Sequence, residues 1–180
     1  MIKKFITGKS AVFIDASNIL YSQKTLGWKI DYIKLKKYLE NQSPVISFNY
    51  YTGKIGTFEK QSKFINKLES VGYTVISKEI KFIKLGGNKF LQKGNLDIEL
   101  ALDAFKAKDK YDTLLLFSGD SDFSYLLDML KFDGKKFIVF STRKHISVDL
   151  LKRAKYVDLK KLRNEIEYKI QGGAEAPPEV

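Results

Sequence analysis

The stretch Thr113-Leu114-Leu115-Leu116-Phe117-Ser118-Gly119-Asp120-Ser121-Asp122-Phe123 decides the architecture. Its first five residues form a strand-length run with no polar alternation, as expected of a strand buried on both faces. A tight Ser118-Gly119-Asp120 turn follows, and helical periodicity takes over across Phe123–Phe132. The same strand-then-helix grammar repeats in both directions. Upstream, Ala11–Ile14, Val45–Tyr51 (after the breaker Pro44) and Tyr73–Ser77 read as strands. Tyr32–Glu40, Phe58–Val71 and Leu96–Lys106 read as helices, the second stopped by Gly72. Downstream come strand Lys136–Phe140, helix Ser147–Ala154, a short strand Tyr156–Val157 and a last helix near Leu159–Ile170. Ile80–Gln92 breaks the rhythm: two strand-like runs flank Gly86-Gly87-Asn88, which predicts a hairpin or flexible loop. The pattern predicts an α/β fold with a mainly parallel sheet covered on both faces. One domain over residues 1–170 is expected, with 171–180, which holds two of the three prolines, as a disordered tail.

Composition narrows the chemistry. The 180 residues contain no cysteine and one histidine, His145, which excludes disulfide frameworks, thiol catalysis and Cys- or His-rich metal cages. A net charge of +11 favours a polyanionic partner, nucleic acid first. No apolar run approaches the roughly 18 residues of a membrane span. The basic start Met1–Ser10 is broken by Gly8, Lys9 and Ser10 with no small-residue cleavage site, so a cytoplasmic protein is expected.

In open parallel α/β sheets, ligands bind outside the carboxyl ends of the strands. Asp15-Ala16-Ser17-Asn18 follows the first strand, and Ser118–Phe123 follows the Thr113–Phe117 strand. Lys93-Gly94-Asn95-Leu96-Asp97 leads into a helix. Asp15, Asp97, Asp120 and Asp122 are thereby expected at one rim. Like charges about 4 Å apart repel by roughly 4 kcal/mol at a protein-like dielectric. A hard divalent cation such as Mg²⁺ relieves that repulsion and suits phosphate chemistry. Three of the four aspartates also have a plain structural alternative; such an account is weakest for Asp120 in its tight Ser118-Gly119-Asp120 turn. Asp15 or Asp122 can cap the helix that follows it, and Asp97 can answer a helix macrodipole. Asp103, about 120° around the helix from Asp97, reads as a supporting residue or a solvent-facing partner of Lys106. Calcium-loop spacing fails, with Tyr125 at the sixth position and Lys131 at the twelfth. Gly-rich phosphate loops are absent, and His145, beside Arg143 and Lys144, reads as a surface or phosphate-contacting residue.

Three blocks taken together resemble the NYN domain. They are Val12-Phe13-Ile14-Asp15-Ala16-Ser17-Asn18; Lys93-Gly94-Asn95-Leu96-Asp97 with Leu100 and Asp103; and Ser118-Gly119-Asp120-Ser121-Asp122-Phe123. The likeness is stronger to the bacterial LabA/DUF88 group, related to PIN-domain nucleases, and covers roughly residues 10–160. The resemblance implies a three-layer α/β/α PIN-like (Rossmann-like) domain and a Mg²⁺- or Mn²⁺-dependent endoribonuclease. It implies an acidic metal site of Asp15, Asp97, Asp120 and Asp122, accompanied by Asn18. One departure is that Asn95-Leu96 lengthens by a residue the link between Lys-Gly and Asp97.

Substrate-side candidates are Asn18, Ser118, Ser121, Lys93, Arg143 and Lys144. In the Lys78–Lys93 segment, five lysines oppose Glu79 alone, and Phe82 and Phe90 read either as core packing or as stacking platforms for unpaired bases. The expected partner is RNA, single-stranded or structured, with no membrane and a homodimer left open. The alternatives are a non-catalytic RNA-binding or regulatory module and a small-molecule phosphohydrolase.

Overall fold

A computed structural model of the chain describes residues 2–54, 59–86 and 89–169, with the side chains of 82–93 outside that description. The expected tail and Phe58 lie outside the described residues. In chain order the elements are β1 (Ser10–Asp15), α1 (Ala16–Leu26), α2 (Tyr32–Glu40), β2 (Val45–Lys54) and α3 (Glu59–Ser70). Then come β3 (Thr74–Glu79), β4 (Lys81–Gly86), β5 (Lys89–Lys93), α4 (Asp97–Lys106), β6 (Thr113–Phe117) and α5 (Ser124–Phe132). The chain continues through β7 (Lys136–Ser141), α6 (Val148–Arg153), β8 (Lys155–Asp158) and α7 (Arg163–Ile166).

Six strands form one sheet in the order β3-β2-β1-β6-β7-β8, every pairing parallel. Alternation along β1 divides the core in two. Val12 and Ile14 pack with Ile19 of α1, Leu35 and Leu39 of α2, and Phe64 of α3. Ala11 and Phe13 pack with Leu100 of α4, Leu127 and Leu130 of α5, and Leu150 of α6. Helices thus cover both faces, giving the expected three-layer α/β/α arrangement. All six residues of β1 and all five of β6 are buried, which accounts for their unbroken apolar run. The β4–β5 hairpin is a separate antiparallel ribbon, with Lys81 opposite Lys93.

Two elements differ from the sequence reading. Helix α1 follows β1 directly; the sequence named a helix here only as one that Asp15 could cap, without bounds. Asp15 caps it by accepting the Asn18 N–H, and Gly27 ends it in the left-handed region at φ 73°. It buries only Ala16, Ile19 and Ser22, so its apolar stripe is too thin to stand out. The expected Leu159–Ile170 helix divides into a 3₁₀ turn, Leu159–Leu162, and the short α7. Asp158 caps that turn through the Lys160 N–H, and Leu159, Leu162 and Ile166 all enter the core.

Among the described residues no helix is long and apolar enough to cross a membrane.

Candidate metal centre

Strand order reverses between β1 and β6, and the crevice at such a reversal is where open α/β sheets bind ligands. Asp15 ends β1 there, and Ser118-Gly119-Asp120 leaves β6 beside it. Asp15 is only 6% exposed, and both of its oxygens have donors. Oδ1 accepts from Ser17 Oγ (2.7 Å) and from the Asn18 N–H (3.2 Å), while Oδ2 accepts from Ser118 Oγ (3.0 Å). Burial raises the Asp15 pKa; these donors oppose the rise, and the charge of Asp120 adds to it.

The turn after β6 is fixed from three sides. Asn18 Oδ1 accepts the Gly119 N–H (2.9 Å), Ser118 Oγ accepts the Asp120 N–H (3.2 Å), and Asp120 Oδ1 accepts the Asp122 N–H (3.0 Å). Gly119 also accepts the Ser147 N–H through its carbonyl (2.9 Å), joining this turn to the loop after β7. A Cβ on Gly119 would collide with the carbonyl oxygen of His145 and with Ser141 Oγ, so the close approach of these loops requires glycine.

Asp97 arrives from α4. Asn95 Oδ1 accepts the Asp97 N–H (2.8 Å), and Asn95 Nδ2 donates to Asp97 Oδ2. Asn95, half of the longer link noted in the sequence, thus orients the carboxylate it precedes. Leu96, the other half, is buried against the core. Tyr51, which pairs with Asp15 across β1 and β2, donates its hydroxyl to Asp103 Oδ2 (3.0 Å) and ties α4 over the sheet. Asp103 is therefore a supporting residue, not a partner of Lys106.

Carboxylate oxygens of Asp97, Asp120 and Asp122 all lie within 4.8 Å of one another. Asp15 stands outside this set, so the expected four-carboxylate cluster resolves into three convergent groups and a buried fourth that shares their field. Burial pushes Asp97 up to about 6; the Asn95 amide opposes this, and the charges of Asp15, Asp120 and Asp122 reinforce it. Ionised pairs at such separations repel by about 3–4 kcal/mol at an effective dielectric near 20. An all-oxygen set of this charge fits a hard divalent cation such as Mg²⁺ or Mn²⁺.

The remaining candidates divide sharply. Ser118, expected on the substrate side, is fully buried, and its hydroxyl is spent between Asp15 and the Asp120 N–H. Ser121 is exposed in the 3₁₀ turn Ser121–Phe123 beside Asp122. Arg143 and Lys144 are exposed in the turn after β7, the turn held against Gly119. The Lys93 side chain lies outside the described residues, as do Phe82 and Phe90. His145 Nε2 is hydrogen-bonded to Thr25 Oγ1 (2.6 Å), and the three-carboxylate set does not include it. Sequence reasoning did not assign Gly119, Asn95 or Ser17 a role. An Asn two residues before a helix-starting Asp is an Asx-turn signal that marks Asn95 in the sequence.

The chain matches the family model of the NYN domain over residues 9–160. It is 34% identical over 168 residues to the low amplitude and bright protein LabA of Synechococcus elongatus, covering 91% of this chain and 90% of that protein. Its fold superposes on the crystal structure of a protein of unknown function from Vibrio parahaemolyticus with a TM-score of 0.74. That match has 25% identity and covers 89% of this chain and 96% of the other.

Proposed function

The chain belongs to the NYN domain family, within the PIN-like nuclease superfamily, and from that premise we propose that it is a metal-dependent endoribonuclease. The observation that carries this reading is the convergence of Asp97, Asp120 and Asp122 at the strand-order reversal. These three would hold Mg²⁺ or Mn²⁺. When bound, the cation supplies positive charge to the scissile phosphate and lowers the pKa of a coordinated water. Asp15 contributes through position and charge: it holds Ser17, Asn18 and Ser118, and through Ser118 it orders Asp120. Asn18 keeps its Oδ1 on the Gly119 N–H, which directs its Nδ2 donor to a phosphate oxygen of the substrate. Ser121, exposed at the rim, adds a hydroxyl for the same purpose. Arg143 and Lys144, with Lys93 from the hairpin, neutralise flanking phosphates, and the +11 net charge recruits the polyanion. An RNA substrate fits a cytoplasmic enzyme.

The test is cleavage of RNA oligonucleotides with Mg²⁺ or Mn²⁺. Chelator should abolish turnover, and Asp120→Asn should abolish it while RNA binding persists. A wild-type protein that binds RNA and never cleaves it with either metal would instead be a binding module. Faster hydrolysis of free nucleotides than of oligomers would make it a small-molecule phosphohydrolase.

A further inference from the structure

Helices α4, α5 and α6 lie side by side over one face of the sheet, α5 packing between the other two. Their outer side carries Ile98 and Leu102 on α4, Tyr125 and Phe132 on α5, and Val148 and Leu151 on α6. These six are 44–89% exposed, with Phe132 the most exposed at 89%. Spacings of four, seven and three residues place each pair on one face of its helix. The opposite sides of the same helices are already buried against the sheet through Leu100, Ala104, Leu127, Leu130 and Leu150, so the outer residues serve no internal packing.

We infer that this outer α4–α5–α6 face is the interface at which a second copy of the chain docks. Two observations select that occupant. The first is charge. Apart from Asp97 in the acidic centre and Asp103 on Tyr51, the three helices carry three acidic residues (Glu99, Asp128, Asp149) and four basic ones (Lys106, Lys131, Lys152, Arg153), a net of +1 in a chain of +11. Two copies of a strongly basic protein repel over most of their surfaces and meet at least cost where charge is balanced. The same balance gives nucleic acid or an anionic membrane nothing to grip. Arg153 is already paired with Asp128 and Asp149, and Glu99 with Lys78, so these groups carry their partners with them. The second is area. Each of the two aromatic side chains offers about 150–250 Å², and with the four smaller aliphatic ones at this exposure the face supplies on the order of 600–700 Å² of apolar surface, close to the roughly 800 Å² that one partner gives a standard interface. That lies at or above the upper end of the roughly 300–600 Å² of the largest apolar patch on a typical monomer. The face reaches the metal centre's rim, because Ile98 follows Asp97 and Tyr125 lies three residues after Asp122. A docked copy would therefore border the rim of the acidic centre.

Sedimentation equilibrium or light scattering after size-exclusion chromatography tests this on the full chain, pretreated with nuclease, from 1 to 100 µM. The expected result is a dimer that persists in 0.5 M NaCl. Leu102→Glu with Phe132→Glu should leave a monomer with an unchanged circular dichroism spectrum, whereas Ile46→Glu, outside this face, should remain dimeric. A wild-type monomer throughout this range overturns the inference. So does a double variant that still dimerises, or a dimer that nuclease treatment dissolves. Tyr125→Lys with Val148→Lys supplies a second pair should the first fail to fold. None of these readouts depends on whether the chain cleaves RNA.

Discussion

Ser118 Oγ donates to Asp15 Oδ2 at 3.0 Å, joining residues 103 positions apart at the junction of the two central strands. Both groups are buried, Ser118 fully and Asp15 almost so, which leaves little room to exchange this bond for one to water. Ser118→Ala should therefore cost about 1–3 kcal/mol of stability, the penalty for a buried acceptor left short of a donor. Thermal unfolding should show a Tm lowered by several degrees. RNA cleavage should fall further than the stability loss explains, because Asp120 loses its backbone anchor as well. A variant with wild-type Tm and wild-type turnover would remove Ser118 from the site.

Mutual repulsion among Asp97, Asp120 and Asp122 makes metal-free protein pay for its centre. Asp97→Asn or Asp122→Asn should raise the Tm of metal-free protein by a few degrees. Added Mn²⁺ should stabilise wild type by about 2–3 kcal/mol at 100-fold excess over its Kd and leave these variants unmoved. Calorimetry with and without chelator makes the comparison.

Asp97, pushed up to about 6, sets a pH dependence with two opposite signs. Between about 4 and 6 the folded metal-free protein holds this proton more tightly than the unfolded chain, so this group adds stability as pH falls through 6. Metal binding needs the ionised carboxylate, so affinity should weaken as pH falls below 6. Titration calorimetry with Mn²⁺ at pH 5.0, 6.0 and 7.5 should show affinity rising with pH. A flat profile would mean that Asp97 is not a ligand.

Gly119→Ala places a methyl group against the carbonyl of His145 and must push the loop after β7 away from the turn after β6. The expected cost is about 1–3 kcal/mol. RNA affinity should fall with it, measured by fluorescence anisotropy, because Arg143 and Lys144 ride on the displaced loop.

Arg143→Ala with Lys144→Ala should weaken RNA binding without touching metal affinity. If both contact phosphates of a single strand, the slope of log K against log salt should flatten by about 1.4. An unchanged slope would place the RNA elsewhere.

Much of this arrangement was legible in the sequence, and the rest was hidden for identifiable reasons. The buried strands announced themselves because β1 and β6 carry no polar residue between Ala11 and Ile14 or between Leu114 and Phe117. The acidic residues were visible because strand ends and helix starts are local features. Helix α1 was not: Ser17, Asn18, Ser22, Gln23, Lys24 and Thr25 dilute its apolar stripe, and one of its buried positions is Ser22, which accepts a hydrogen bond from Thr142. Distance in the chain hid the division of labour among the aspartates. Asp15 spends both oxygens on Ser17, Asn18 and Ser118, and the last of these partners becomes its neighbour only when β6 pairs with β1. Ser118 looked like a rim residue because it follows a strand, yet its hydroxyl sits between Asp15 and the Asp120 N–H and the side chain is fully buried.

The placement of β6 beside β1 also sets a timetable for synthesis. Asp15 emerges early, Asp97 near mid-chain, and Asp120 and Asp122 about two-thirds of the way along. At about 5–20 residues per second, Asp15 is followed by Asp122 only after roughly 5–20 s. During that interval β1 has β2 on one side and no neighbour on the other. A nascent chain therefore lacks the assembled group of Asp97, Asp120 and Asp122 until β6 and the turn after it have been made and β6 has paired with β1.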